Sequence, residues 1–365
     1  LTLSRVVVPV RRSRTKMSSR SFRSCATRLL DLEEKATKRP VAEIARGGIL
    51  RRGLPVNSAT AAIVTNVAAD HLGEYGIHDV DGIAAAKLVV AKALHGGGRL
   101  ILNADDPRLA ERGLATGAPL AWFTMAPAQG IRDGAALVDG MLVLRQSGAS
   151  LPILPVQEVR IGMAGAARHN LANALAAIAG AAALGLPVTA MAEALRTFGA
   201  DESDNPGRGL LREIGDVKVL VDFAHNPHGV GAISALVATI PAARRLVLLG
   251  QAGDRTDAEI RALAAATWTM RPDRIVVKEM DSYLRGRPPG EIPALLQAEL
   301  TRLGAPEDMI AVAGSETAAV RAAFAWAQPG DLLVLLSHAA RARTLAFLDR
   351  LAVAQWRCGD PLPNS

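Results

Sequence analysis

The chain has 365 residues and a formal charge of +7; it is 50% hydrophobic, 3% aromatic and carries two cysteines. That length suits about two domains, and Cys25 and Cys358, near opposite ends and without metal-ligand spacing, argue against a disulfide framework and for a reducing compartment. Residues 1–52 hold 14 Lys or Arg against 4 Asp or Glu, whereas the remainder holds 28 against 31, so the body is mildly acidic and the high pI is a weak argument for nucleic-acid binding.

Residues 1–30 are basic and serine-rich, contain no acidic group, and show no hydrophobic periodicity beyond Val6–Val10. Three readings compete for residues 1–40, an anomalous segment expected to be disordered. They are an organelle transit peptide, a basic arm for nucleic acid or acidic lipid, and a stretch read out of frame or begun inside a longer gene. The third is preferred, because the first residue is not methionine.

From Val41 the pattern is α/β. Residues 61–65 predict a strand, 80–94 a helix, 99–102 and 121–124 further strands, and 133–157 small antiparallel strands about Asp139-Gly140. The uncharged stretch 171–192 is long enough to suggest a membrane span. Its Asn173, Gly180, Gly185 and Pro187 instead predict two short buried helices, and no membrane association is expected. Beyond residue 205 the alternation is cleaner. Strands are predicted at 217–222, 245–249, 274–277, 309–312 and 332–336. Helices are predicted at 229–239, 257–268, 289–302 and 316–327, with one more after 338. Such alternation implies a doubly wound, mostly parallel sheet.

Residues 205–229 are the most informative. Asn205-Pro-Gly-Arg208 leads into a strand pair, Leu210 to Val221, turning at Gly215-Asp216. The pair ends in Asp222, followed by His225, Asn226, Pro227, His228 and Gly229 before an apolar helix. Polar groups at a strand's carboxyl end, with glycine opening a helix, make the usual anion crevice of α/β folds. Asx-Pro-Gly is also ordinary turn chemistry.

This stretch resembles the junction between the central and C-terminal domains of the Mur ligase superfamily. Glu43-Ile-Ala-Arg-Gly-Gly-Ile-Leu-Arg-Arg-Gly53 resembles a segment of the cyanophycin synthetase branch, and Thr65-Asn66 through Asp70-His71-Leu-Gly resembles the next landmark. Lys87 falls where the superfamily often has a carbamoylated lysine. His169-Asn170-Leu-Ala-Asn173 resembles its adenine-reading helix. Gly253-Asp254-Arg255-Thr-Asp257, Lys278-Glu279 and Leu284-Arg-Gly-Arg287 resemble C-terminal landmarks. The landmarks follow in family order over roughly residues 41–350.

The resemblance implies a Mur ligase central (ATP-binding) domain over 41–205, a Rossmann-like C-terminal domain over 206–356 and a tail over 357–365. It also implies ATP and Mg²⁺ as cofactors, and an amide-forming reaction through an acyl phosphate. Glu43 and His71 would hold the metal. Asn170, Asn173, Arg208, Asp222 and Asn226 would bind the nucleotide, with Asp222 on ribose hydroxyls. Lys87, His225, Asp254, Arg255 and Lys278 would serve catalysis, the last three near the incoming amine. His338 is a weaker candidate. As isolated residues, these also fit a surface glutamate, a capping turn, a solvated lysine and ordinary loop polar groups. Arg46–Gly53 is glycine-rich and basic enough to cradle an anion, which composition alone does not establish.

The family's P-loop, Gly-x-x-Gly-Lys-Thr, supplies backbone amides and a lysine to ATP phosphates. The seven lysines here are 16, 35, 38, 87, 92, 218 and 278, and none follows a glycine. The central domain is therefore expected to be incomplete, without the P-loop strand and helix. The expectation is a cytoplasmic ATP-dependent carbon–nitrogen ligase acting on an amino acid and a carboxylate substrate, impaired by loss of the P-loop. The alternative is a non-catalytic nucleotide- or peptide-binding remnant. Neither nucleic acid nor membrane is an expected partner, and self-association into a homo-oligomer is left open.

Overall fold

The computed structural model describes residues 6–9, 41–69, 72–127 and 130–363. His71 and residues 10–40 lie outside them. The chain divides into two compact units, one ending at Asn205 and one beginning at Pro206.

The first unit is built on β1 (Val6–Pro9), β2 (Val41–Ile44), β3 (Ala59–Val64), β4 (Leu94–Asn103), β5 (Leu120–Thr124), β6 (Gly134–Val138), β7 (Met141–Gln146) and β8 (Ala149–Pro155). Their order is β2-β1-β3-β4-β5-β6-β7-β8. β3 to β6 run parallel, whereas β1 is antiparallel to both neighbours and β7 and β8 form an antiparallel meander. Its helices are α1 (Arg46–Arg52), α2 (Val80–Leu88), α3 (Pro107–Leu114), α4 (Arg168–Ala183) and α5 (Val188–Thr197).

Successive side chains of a strand point to opposite faces. Ala61 and Ile63 of β3 join one buried cluster and Ala62 and Val64 another, so both faces of the parallel region are apolar and both are covered. The alanine-rich α4 lies close on the sheet. A Cβ on Gly180 would come within 2.8 Å of Ile63 Cδ1. The Asp139-Gly140 turn has φ of 49° and 76°, the positive pair that a tight hairpin turn requires.

Two elements differ from expectation. The helix predicted over 80–94 stops at Leu88, Val89–Ala93 is a 3-10 turn, and Leu94 opens β4. Adjacent β-branched Val89 and Val90 lower helix propensity, and Val90 is fully buried in the core. In the segment expected to be disordered, the valine-rich Val6–Pro9 forms β1 between β2 and β3, as β propensity and unpaired strand edges favour.

The second unit contains β9 (Leu210–Ile214), β10 (Val217–Asp222), β11 (Arg245–Leu249), β12 (Arg274–Lys278), β13 (Ile310–Ala313) and β14 (Leu332–Leu336), in the order β13-β12-β11-β14-β10-β9. All run parallel except β9, the antiparallel partner of β10. α6 (Pro227–Val237), α7 (Asp257–Trp268) and α8 (Glu291–Arg302) pack in sequence, as do α9 (Glu316–Trp326) and α10 (Arg341–Val353). The predicted strands are met to within about a residue. α6 begins at Pro227 rather than Gly229, because Asn226 Oδ1 accepts the Gly229 N–H at 2.8 Å and Pro227 takes the first helical position. β14 lies between β10 and β11, so strand order reverses there. The carboxyl ends of these three strands flank the crevice where α/β sheets bind ligands.

Candidate active site

At the end of β10, Asp222 is fully buried. One oxygen accepts the Gly209 N–H at 2.7 Å and the other the Ala224 N–H at 2.6 Å. The carboxylate thus ties the 207–209 loop to the strand end. Its fully buried oxygens, already bonded to amides, favour a positioning role over contact with a ribose. The tied loop carries Arg208, 7% exposed, whose guanidinium lies 4.4 Å from the centre of the Phe223 ring. Arg341 approaches the same ring at 5.5 Å. His225 and His338 meet Phe223 edge-on, with ring centres at 5.4 and 5.3 Å. His225 Nδ1 lies 3.1 Å from the Phe223 carbonyl and His338 Nε2 lies 2.9 Å from that of Ala224. Gln251, after β11, donates to the His225 carbonyl at 2.9 Å. Arg208, Asp222 and His225 are therefore brought together, and Asn226 caps α6 beside them.

Lys278 departs from the sequence reading. Rather than lying beyond a strand end, open to an amine, it is the last residue of β12 and fully buried. Its Nζ donates to Glu316 Oε2 at 2.5 Å and to the Leu336 carbonyl at 2.6 Å. Glu316, the first residue of α9, also accepts the Ser337 hydroxyl and the backbone N–H groups of His338, Ala339 and Ala340. One buried carboxylate thereby fixes the loop after β14. Burial alone would raise the Glu316 pKa, but Lys278, Ser337 and the His338 amide outweigh it and bring it down to about 2. Burial pushes Lys278 down to about 8 against the opposing pull of Glu316, so both are charged at neutral pH. Burial and the Lys278 charge hold His338 well below the ordinary imidazole value.

A lowered carboxylate pKa stabilises the fold above the unfolded value and loses that contribution as pH falls through the folded one. Stability is therefore expected to fall between pH 4.5 and 2, by on the order of 3 kcal/mol from Glu316. Urea unfolding across that range is the measurement. A Glu316→Gln chain should lose this part of the pH dependence.

The loop after β11 holds Asp254 and Arg255, which pair at 3.1 Å. Arg287 ties this loop to the segment after β12, donating to the carbonyls of Gly253 and Arg255 at 3.1 and 2.7 Å and pairing with Asp257 and Glu291.

In the first unit, Lys87 is 1% exposed and its Nζ donates to the Asn66 carbonyl at 2.8 Å. Asp106 holds the same loop through the Val67 N–H at 2.6 Å. Lys87 is thus a buried side chain held against the loop that leads to His71. Glu43 is exposed on β2. Asn170 is buried and donates to the Ile161 carbonyl at 2.8 Å, so its amide secures the 160–165 turn. Asn173, one turn on, is half-buried. Beside them, burial drives the His169 pKa down, and its Nε2 has no hydrogen-bond partner among the described residues. The Arg46–Gly53 tract is the short α1, with Arg46 paired to Glu74 at 2.9 Å.

The Mur ligase middle domain matches residues 11–181, and the Mur ligase glutamate ligase domain matches residues 208–338. The chain belongs to the Mur ligase family. It is 36% identical over 313 residues to the cyanophycin synthetase of Trichormus variabilis, covering 84% of this chain and 34% of that protein. It is 31% identical over 286 residues to the UDP-N-acetylmuramate--L-alanine ligase of Acidothermus cellulolyticus, covering 76% and 56%. The chain thus spans about a third of the cyanophycin synthetase it matches. Among solved structures, E. coli FolC in complex with ADP superposes with a TM-score of 0.59 at 22% identity, covering 80% of this chain and 62% of that one. MurF from Acinetobacter baumannii gives 0.56 at 19%, covering 82% and 60%. These structures share the Mur ligase fold, two α/β units of the kind described. The curated relatives are ligases, which places the chain in a carbon–nitrogen ligase family.

Motif reading of this Mur ligase chain missed Glu316, Gln251, Phe223 and Arg341. Only Glu316 had a local signal, as the residue after the helix cap Ser315. No helix among the described residues is long and apolar enough to cross a membrane.

Proposed function

We propose that the chain is part of an ATP-dependent ligase of the Mur and cyanophycin synthetase type, joining an amino acid to a carboxylate substrate in the cytoplasm. A substrate carboxylate takes the γ-phosphoryl group of ATP, giving an acyl phosphate and ADP. The amine then displaces phosphate, forming the amide and releasing a proton. The observation that carries this reading is the cluster of Arg208, Phe223, His225 and His338 at the point of strand reversal, on a chain of this family. Arg208 supplies a fixed cation for phosphate. His225 lies beside it, and the Asp254–Arg255 pair offers one group of each sign to an amino acid.

Asn170 and Asn173 are the proposed adenine contacts, the first through the turn it secures. Lys87 is the proposed carbamate bearer, and Glu43 with His71 the proposed magnesium ligands. No group of three or more metal-ligating side chains occurs among the described residues. Magnesium commonly needs only one or two protein carboxylates beside the nucleotide phosphates, a demand that exposed Glu43 fits.

One observation favours a second reading, a nucleotide- or peptide-binding remnant: no lysine in the 365 residues follows a glycine. We infer that the chain alone turns over very slowly. Amine-dependent ADP release separates the two readings. The ligase reading expects it once a strand and helix bearing Gly-x-x-Gly-Lys-Thr are supplied ahead of Val41, and the remnant reading expects none.

A further inference from the structure

Arg341, the first residue of α10, has a place in the crevice that no motif assigns. Three features fix it. Its stem lies on Gly207, where an added Cβ would fall 2.6 Å from Arg341 Cδ and 3.1 Å from Cγ. Its guanidinium lies 5.5 Å from the centre of the Phe223 ring, the ring that Arg208 approaches at 4.4 Å. Its backbone follows directly on His338, Ala339 and Ala340, whose amides are all held by Glu316. The buried Lys278–Glu316 pair therefore sets where α10 begins and where Arg341 stands.

Burial lowers the Arg341 pKa against the opposing pull of Glu316 and Asp222, yet a guanidinium stays charged in a protein. It is a cation that water solvates poorly, and an anionic ligand would relieve that cost. The two nearby carboxylates already serve other groups. Asp222 accepts the amides of Gly209 and Ala224, and Glu316 accepts Lys278, Ser337 and the loop amides. Contact with a phenyl ring holds a guanidinium in place without neutralising its charge or using up its N–H donors. The two guanidinium carbons can stand no farther apart than their distances to the ring centre taken together.

We propose that Arg341 is a second phosphate-binding residue of this crevice, acting with Arg208 to seat neighbouring phosphate groups of one polyphosphate chain on Phe223. Two cations held at separate positions about one ring match a chain of phosphates better than a single one. The inference rests on the ligase reading for its natural ligand, the polyphosphate of the nucleotide, and adds to it a residue and the Glu316 carboxylate that positions it.

The test is calorimetric titration of the full chain with sodium tripolyphosphate at low salt, without nucleotide or magnesium. Saturable binding is expected, with orthophosphate weaker by at least about tenfold. Arg341→Met, which keeps an unbranched stem on Gly207, should weaken tripolyphosphate roughly tenfold, and Arg341→Lys, which keeps the charge but not the planar fork, roughly threefold. Arg343→Met, exposed on the same helix, should bind as the parent does. In a chain completed with the Gly-x-x-Gly-Lys-Thr strand and helix, Arg341→Met should raise the KM for ATP roughly tenfold and leave kcat within about twofold, as loss of ground-state binding does. A merely structural role would lower kcat and leave KM alone. No saturable binding by the parent, orthophosphate bound as tightly as tripolyphosphate, Arg341→Met binding like the parent or no worse than Arg341→Lys, or a fall in kcat at constant KM would each overturn the proposal. Should Arg341→Met fail to fold, parent-like binding by Arg341→Lys would overturn it. Absence of ADP release from the completed chain would sink the ligase reading and leave the tripolyphosphate result standing, so the two fall separately.

Discussion

Glu316→Gln is expected to destabilise the second unit by about 3–5 kcal/mol at neutral pH, the cost of removing one partner of a buried ion pair. Lys278 would keep its buried position without its counter-ion, and three loop amides and the Ser337 hydroxyl would lose a charged acceptor. Lys278→Met should cost less, about 1–2 kcal/mol, because Glu316 keeps its hydroxyl and amide donors. In the Glu316→Gln variant, Lys278 should carry a lower pKa than it does beside the native carboxylate. An amine whose folded pKa lies below its unfolded value makes stability rise with pH through that interval. The Glu316→Gln variant should therefore recover part of its loss as pH rises towards 10. Urea unfolding followed by tryptophan fluorescence measures this in a Trp122→Phe background, where the remaining tryptophans, 268, 326 and 356, all belong to the second unit. If Lys278→Met proved as costly as Glu316→Gln, the carboxylate would not be the organising member of the pair.

Gly253→Ala is expected to cost roughly 2–3 kcal/mol, the upper range of overpacking penalties. The added Cβ would fall 1.9 Å from the Leu284 carbonyl oxygen. That obstacle is backbone, so one of the two loops must move. The shift would strain the Gly253 N–H bond to the Tyr283 carbonyl, 2.8 Å, and the two carbonyl contacts of Arg287. It would displace Asp254 and Arg255 together. Gly231→Ala on α6 is the control. Its Cβ would meet nothing within 4 Å, and the higher helix propensity of alanine should leave stability unchanged or raised by up to about 1 kcal/mol. Equal urea midpoints for the two variants would show that the close approach at Gly253 is not needed.

The architecture was legible where local chemistry decides it. Apolar runs such as Leu246–Leu249 and Leu332–Leu336 can satisfy both faces only inside a covered parallel sheet, and Asn226-Pro227 announces a helix start. The crevice was legible through Arg208, Asp222 and His225, which lie within one short stretch. Lys278 and Glu316 stand 38 positions apart, and nothing near either residue signals the other. Their pairing follows from the parallel order of β12, β11 and β14. For the same reason Lys278 read as a strand-end surface group although its side chain runs inward. Asn170 read as a nucleotide contact from its type and spacing, but the bond of its amide to the Ile161 carbonyl, nine positions back, had no signal in the sequence. The end of the α2 helix was missed because two adjacent valines weigh little against a periodicity extending to Leu94.

The central proposal is that this chain is part of a ligase that activates a carboxylate by phosphorylation. The most direct measurement supplies the chain with the Gly-x-x-Gly-Lys-Thr strand and helix ahead of Val41. It then follows ADP release from ATP with an ¹⁸O-labelled carboxylate acceptor and a panel of amino acids. The account predicts ADP release that depends on both acceptor and amine, with one ¹⁸O appearing in each phosphate released. ADP release independent of the amine, or phosphate free of the label, would contradict it.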